Sequence, residues 1–379
     1  MAENSVTLPA RYTEVNVFAH GSYGQVAQAR DTVSGTTVAI KMQYVNMAEL
    51  DSRNRPVLAL RAYREVLLLC TFRGHKNILY LLDVFWLVSP EGKTQLYSVT
   101  DKMDMDLAVA IERTKKATGT EQPLLRREMV PFIVYSILCG LKYIHSGEIV
   151  HRDLKPKNIG ISFRGREISV KLLDFGLARK LRVQMSHVVQ SQHYRAPDVW
   201  LQAGQYTRAI DVWSVGCIFA ELITHEVFMP GGTAYCDQMK AIYSRLGDPN
   251  QECARLFRHE VPCVPYDNFG AGCKCALPNL LIQCRKVQKK GWSEISAVCT
   301  PTELDLMMRM LTWDPLQRWT ATDCLKHPCL VDMVTQHGEG TTLTPDQEFE
   351  EWENRDSAFW AVWIERQLTE IKRRLSVPP

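Results

Sequence analysis

The sequence predicts an α+β protein of two lobes, a small one rich in antiparallel strands and a larger one made mainly of helices. Three observations carry that prediction. From Tyr12 to about Met103 the apolar residues fall in short β-branched and aromatic runs broken by Gly and Asp. Beyond Asp104 they recur at three- and four-residue spacings. The chain is 379 residues long, rather long for a single hydrophobic core.

The elements follow in order. Val38-Ala39-Ile40-Lys41 reads as a strand. One helix interrupts the strand region, with Leu60, Tyr63, Leu67 and Leu68 on one face and Arg61, Arg64 and Glu65 elsewhere. In the second region Phe132, Ile133, Ser136, Ile137, Gly140, Leu141 and Ile144 mark a buried helix, and the nearly apolar run from Asp211 to Leu222 marks another. A last amphipathic helix aligns Trp360, Ile364, Leu368, Ile371 and Leu375 on one stripe. The organisation expected is a tail at 1–11, a strand lobe at 12–103, a helical lobe at 104–330 and a C-terminal extension at 331–379.

Composition excludes several classes. With 46% hydrophobic and 23% charged residues the chain is an ordinary globular one, and a net charge of +3 gives no argument for a nucleic-acid partner. The longest apolar-leaning stretch, from Met129 to Leu141, contains Pro131 and Gly140 and falls short of a bilayer span, so no membrane partner is expected. The opening MAENSVTLPARYTEV lacks a basic-then-apolar leader pattern, so the 12 cysteines are expected as reduced thiols. The densest group, Cys253, Cys263, Cys273, Cys275 and Cys284, has no C-x-x-C pair and reads as part of an insertion, not as a zinc site.

The chemistry is carried by four separated segments. Phe18-Ala19-His20-Gly21-Ser22-Tyr23-Gly24-Gln25-Val26 lies between two strands, where glycines let backbone N–H groups close over phosphates. Alone it is no more than a turn. Lys41 ends an apolar strand and needs an anion, for which Glu65 on the following helix is the partner. His151-Arg152-Asp153-Leu154-Lys155-Pro156-Lys157-Asn158 and, further on, Asp174-Phe175-Gly176 supply what phosphoryl transfer requires. Asp153 is the candidate base and Lys155 the cation at the γ-phosphate. Asn158 and Asp174 are candidate oxygen ligands for Mg2+. The ordered combination implies ATP as the phosphoryl donor.

On these segments the chain resembles a eukaryotic protein kinase, and more narrowly a mitogen-activated protein kinase of the stress-activated branch. The narrower likeness rests on Arg61-Ala-Tyr-Arg-Glu65-Val-Leu-Leu-Leu, His75-Lys-Asn-Ile, Gly140-Leu-Lys-Tyr-Ile-His145, Tyr194-Arg-Ala-Pro197 and the run from Asp211 to Cys217. The resemblance implies a two-lobed kinase fold with an insertion at about 250–300 and a C-terminal extension returning to the small lobe. It implies that Ala39, Thr100 and Met103 line the adenine site, with residues 101–103 as hinge and Asp106 near the ribose. It also implies that Asp211 braces the catalytic loop and that Arg318 pairs with Asp198. Partners implied are protein substrates, an upstream mitogen-activated protein kinase kinase and docking-motif proteins, for a monomer working in cytoplasm and nucleus.

The sequence departs from that family at several points. Ala19 replaces the first glycine of the phosphate loop, Lys157 stands where a small or acidic residue is common, and Asp198 replaces a glutamate. In the activation segment the usual Thr-x-Tyr is Ser186-His187-Val188, and the arginine that meets the phosphotyrosine is Gln192. Ser186 is the remaining regulatory candidate, so either one phosphate switches the enzyme or none is needed. Val189-Gln190-Ser191-Gln192 replaces Val-Ala/Val-Thr-Arg, which leaves proline direction open. The alternative to an active kinase is a silent kinase-fold scaffold. Lys41, Glu65, Asp153, Asn158 and Asp174 together argue for activity.

Overall fold

The computed structural model describes residues 8–21, 24–44, 57–88, 94–117, 122–165, 167–181, 189–201, 206–232, 235–249, 284–343, 366, 369–373 and 375–376. These residues belong to two compact units. The first draws on Met1–Asp104, Ser162–Ala178 and Asp346–Pro379, and the second on Met105–Ile161 and Arg179–Pro345.

The first unit is built on a five-stranded antiparallel sheet of β1 (Tyr12–Gly21), β2 (Gly24–Asp31), β3 (Thr37–Tyr44), β4 (Leu81–Val88) and β5 (Thr94–Asp101), in the order β1-β2-β3-β5-β4. Alternation puts Val38, Ile40 and Met42 of β3 on the buried face with Tyr12, Ala29, Phe85, Tyr97 and Val99. Stacked rings, Tyr12 on Phe85 at 5.7 Å and Phe85 on Tyr97 at 5.1 Å, tie β1, β4 and β5 into one core. Lys41, between Ile40 and Met42, points to the opposite face. Helix α1 (Val57–Thr71) buries Tyr63, Val66, Leu68 and Leu69. Of the C-terminal stripe, Trp360, Ile364 and Leu368 lie outside the described residues, whereas Ile371 is buried.

The second unit opens with the short strand β6 (Met105–Asp106) and α2 (Leu107–Lys116), followed by α3 (Val130–Ser146). Its helical run from Arg127 to Ser146 is longer than the apolar stretch in the sequence suggests, and by length and composition alone would suffice to cross a bilayer. Its side chains argue otherwise: Ile133, Val134, Ile137, Leu138 and Leu141 are fully covered by protein. After the hairpin-like pairing of β7 (Ile149–Val150) with β10 (Arg179–Lys180) come α4 (Pro197–Leu201), α5 (Ala209–Thr224) and α6 (Tyr235–Leu246). Strands β8 (Ile159–Arg164) and β9 (Glu167–Leu172) lie between these two pairing partners in sequence. Every residue of α5 from Ala209 to Ile223 is buried, which explains why its sequence lacks a polar face. The unit closes with α7 (Ser293–Ser296), α8 (Pro301–Met310), α9 (Ala321–Leu325) and α10 (Val331–His337). Helix α8 starts in a capping box between Thr300 and Glu303. Of the five grouped cysteines only Cys284 is among the described residues, and it is buried.

Candidate active site

The candidate residues form two constellations, one in each unit. In the first, β3 and α1 meet at a buried ion pair. Lys41 Nζ donates to both Glu65 oxygens at 2.7 Å and lies 3.4 Å from Asp174 Oδ1. Burial disfavours the lysine charge, but the Glu65 and Asp174 carboxylates outweigh it and hold the Lys41 pKa above its ordinary value. Gln43, two residues along the same face of β3, donates its amide N–H to Glu65 Oε2. Sequence reading missed Gln43; its position two residues after Lys41 is the signal that would have found it.

Asp174 has a left-handed backbone, φ 55° and ψ 80°, and its Oδ1 accepts from Gly176 N at 3.3 Å. The next residue, Phe175, is buried edge-on to Phe72, which follows α1 directly, with ring centroids 5.2 Å apart. Apolar packing of Phe175 thus orients the carboxylate of its neighbour. Asp174 itself keeps 43% of its side chain exposed, which leaves it open to a hydrated cation.

The glycine-bearing hairpin pairs Ala19 with Val26, His20 with Gln25 and Gly21 with Gly24; Ser22 and Tyr23 lie outside the described residues. Gly24 is required by close packing: a Cβ there would sit 1.8 Å from Met42 O. Ala19 forms its strand pair without positive φ, so replacing a glycine at this point costs no backbone strain. Phe18 is exposed, and Lys102 Nζ lies 5.0 Å from its ring centre. Ala39 and Thr100 are cross-strand partners, and Thr100 is buried. Ser162 Oγ donates to Met103 Sδ at 3.9 Å and accepts from Asp104 N at 2.9 Å, which fixes the segment after β5.

In the second unit the catalytic-loop candidates converge around one carboxylate. Asp153 Oδ2 accepts from Lys155 Nζ at 2.7 Å and from Asn158 Nδ2 at 3.0 Å, and Oδ1 accepts from Ser191 Oγ at 2.8 Å. Lys155 Nζ also donates to Ser191 Oγ at 2.8 Å. Asn158 spends its amide nitrogen on Asp153, on the backbone carbonyl as well as the side chain, which leaves the amide oxygen to offer a hard cation. Asp106 caps α2 with one oxygen, its Oδ1 accepting from Val109 N at 2.9 Å.

The loop is braced from within the protein. Asp211, fully buried on α5, accepts from His151 N at 2.8 Å and Arg152 N at 2.9 Å and lies 2.9 Å from His145 Nε2. Burial pushes its pKa up, but these contacts more than compensate and keep it below the ordinary carboxylate range. Arg152 sits at φ 67°, a conformation that L residues adopt at a cost, and the two backbone N–H bonds to Asp211 offset it. Arg318 and Asp198, both with fully buried side chains, are joined at 2.9 Å. Ser186 lies outside the described residues. Lys157 is exposed, and nothing in the structure explains its charge.

Among the described residues no cluster of three or more His, Cys, Asp or Glu side chains forms a metal cradle. Magnesium at a phosphoryl-transfer site needs no such cluster, because phosphate and water supply most of its ligands. Asn158 and Asp174 therefore suit the ion in chemistry.

A family model described as the protein kinase domain matches residues 12–330. The chain is 33% identical over 368 residues to mitogen-activated protein kinase 12 of Mus musculus, covering 96% of this chain and 87% of that protein. It is 35% identical over 331 residues to mitogen-activated protein kinase pmk-1 of Caenorhabditis elegans, covering 85% and 77%. It is also 35% identical over 360 residues to mitogen-activated protein kinase p38b of Drosophila melanogaster, covering 91% and 86%.

Proposed function

Because the chain belongs to the mitogen-activated protein kinases within the protein kinase domain family, we propose that Asp153 takes the hydroxyl proton of the acceptor while Lys155 holds positive charge at the transferred phosphoryl group. The protein is a serine/threonine protein kinase that acts on protein substrates and uses ATP with Mg2+. The observation that carries the residue roles is the clustering of Lys155, Asn158 and Ser191 on the Asp153 carboxylate at 2.7–3.0 Å. Lys155 is near enough to follow charge from base to phosphate, and Ser191 orients Oδ1. Lys41, held by Glu65, is the group that orients the nucleotide phosphates. Asn158 and Asp174 are the residues that would hold magnesium, which when bound neutralises charge on the phosphate oxygens.

The test compares transfer of label from γ-labelled ATP to a basic protein by the purified chain and by Asp153→Ala. Removing the base is expected to lower the rate by about 100-fold or more. Equal transfer by both would leave only the scaffold reading.

Two finer readings belong to the same proposal. We assign the chain to the stress-activated branch, acting in cytoplasm and nucleus under an upstream kinase, with Ser186 as its phosphorylation site. Ser186→Ala that is activated as fully as the parent by that upstream kinase would remove Ser186 from the scheme. We also read the substrate segment as favouring proline after the acceptor. Gln190 has φ 65°, and its carbonyl is taken by Arg195 Nη2 at 2.6 Å and Nε at 3.2 Å. That carbonyl is then not offered to the backbone N–H of the residue after the acceptor. A residue without an N–H loses nothing there, whereas any other leaves a donor unmatched.

A further inference from the structure

We propose that Lys157 is a specificity-determining residue that receives an acidic side chain of the protein substrate on the N-terminal side of the acceptor hydroxyl. The inference rests on the kinase reading of the Asp153 loop given above and adds a charge preference to it.

Lys157 lies in the 3-10 turn Pro156–Asn158, where its two neighbours are buried and it alone is exposed. Asn158 N closes the turn by donating to Lys155 O at 2.8 Å. Asn158 Nδ2 ties the turn to the base itself, donating to the Asp153 carbonyl at 2.7 Å and to Oδ2 at 3.0 Å. The backbone of Lys157 is thereby fixed one residue from a group that touches the Asp153 carboxylate. Its charge is used differently from that of Lys155. Lys155 pairs with Asp153 at 2.7 Å, whereas no ion pair joins Lys157 to a carboxylate among the described residues. Two ammonium groups on one short loop repel each other, and nothing within the chain offsets that repulsion. An acidic residue of a bound substrate would offset it.

The side of the substrate follows from what surrounds Asp153. Its Oδ1 accepts from Ser191 Oγ at 2.8 Å. The adjoining Gln190 is anchored on α5, where its Nε2 donates to Ile210 O at 2.9 Å and Ser214 Oγ at 2.8 Å. The residue after the acceptor belongs to that flank. The other oxygen, Oδ2, accepts from Lys155 and Asn158, and the turn that holds Lys157 packs on β6 and α2. An extended peptide whose hydroxyl meets Asp153 therefore passes from the α2 flank to the α5 flank. Lys157 stands on the first of these. The three residues before the acceptor lie within about 11 Å of it in an extended chain, and a long flexible ammonium side chain on this turn meets them there.

The experiment measures kcat/KM of the full chain for peptides that share a serine followed by proline. They differ at a single site, one, two or three positions before the serine, which carries either aspartate or lysine. At one of these sites the parent is expected to favour aspartate about tenfold, an exposed attraction gained and an exposed repulsion avoided. Lys157→Gln should bring that ratio to within about twofold of unity, and Lys157→Glu should invert it in favour of the lysine peptide. Raising KCl from about 0.05 to 0.5 M should shrink the ratio of the parent, because salt screens an exposed pair. Each readout is a ratio between two peptides for one protein, so a general loss of activity from a disturbed loop cancels. A parent that does not discriminate at any of the three sites would overturn the inference and leave the kinase reading intact. So would a preference for aspartate that survives in Lys157→Glu. If no peptide is labelled by any of the proteins, it is the kinase reading that fails on these substrates. Anisotropy of the same peptides carrying a fluorophore then gives the ratios as Kd, and equal Kd for aspartate and lysine peptides would overturn the role of Lys157.

Discussion

Lys41 Nζ is equidistant from the two Glu65 oxygens, 2.7 Å from each, and this symmetrical contact makes strand β3 and helix α1 a single electrostatic unit. Glu65→Gln keeps the shape and removes the charge. Lys41 would then have only Asp174, now at 3.4 Å, to draw it, which pulls it from its place beside Glu65 toward the proposed magnesium ligand. Steady-state kinetics should show kcat/KM for ATP reduced about 10- to 100-fold, a loss of about 1.4–2.7 kcal/mol of transition-state stabilisation. A variant within twofold of the parent would mean that Lys41 needs no partner.

Gln43 supplies a prediction with two readouts of different size. Its N–H supports Glu65, but its Oε1 is buried without a hydrogen-bond partner. A donor to a charged group contributes about 1.5–3 kcal/mol and an unmatched buried carbonyl costs about 1–3 kcal/mol, so for stability the two nearly cancel. Gln43→Leu should therefore unfold in urea within about 1 kcal/mol of the parent. Its kcat/KM should nonetheless fall several-fold, because Glu65 loses one of the two donors that aim it. Equal activity would show that Lys41 alone fixes Glu65.

The buried pair of Arg318 and Asp198 tests what a shorter side chain costs. Asp198 reaches Arg318 with Oδ1, but its Oδ2 is buried and without a partner, consistent with an aspartate standing where the family has a glutamate. Asp198→Ala strands the guanidinium beneath the Trp213 ring and should destabilise the chain by about 3–5 kcal/mol. Asp198→Glu should raise the melting temperature if the longer carboxylate engages Arg318 with both oxygens. A lower melting temperature for the glutamate would show that the pocket is already full.

Much of this was legible in the sequence, for reasons that differ between residues. Asp153, Lys155 and Asn158 lie within six positions of one another, so local geometry brings them together whatever surrounds them. A lysine in an apolar strand demands an anion, and that requirement alone pairs Lys41 with Glu65. Asp211 and Arg318 became readable only through family resemblance, since their partners lie 59 and 120 residues away. Gln43 and Gln190 were passed over as roles. A glutamine has no charge whose burial must be explained, and the partners that give Gln190 its meaning, Ile210 and Ser214, carry no mark in the sequence. Asp106 stands just before a helix, where an aspartate also serves as a cap, and the structure forms that cap with one of its two oxygens.

His75 connects pH to the same constellation. It occupies the turn after α1, is 7% exposed, and its Nδ1 accepts from Asn77 N at 3.2 Å, an arrangement open only to the neutral ring. Burial first, and the nearby Lys76 charge second, lower its pKa to about 4. In the unfolded chain the ring titrates near 6.5, so between about 6.5 and 4 the unfolded state binds a proton that the folded state refuses. Stability is therefore complete above the unfolded value and declines as the pH falls through this window, by up to about 1.4 kcal/mol per pH unit. Urea unfolding at pH 7, 6 and 5 should show the decline in the parent and a shallower one in His75→Gln. His75 N donates to Phe72 O at 3.2 Å, and Phe72 packs on Phe175, so protonating the imidazole loosens the turn that supports the residue beside Asp174. Parallel slopes in the two proteins would place the acid sensitivity elsewhere.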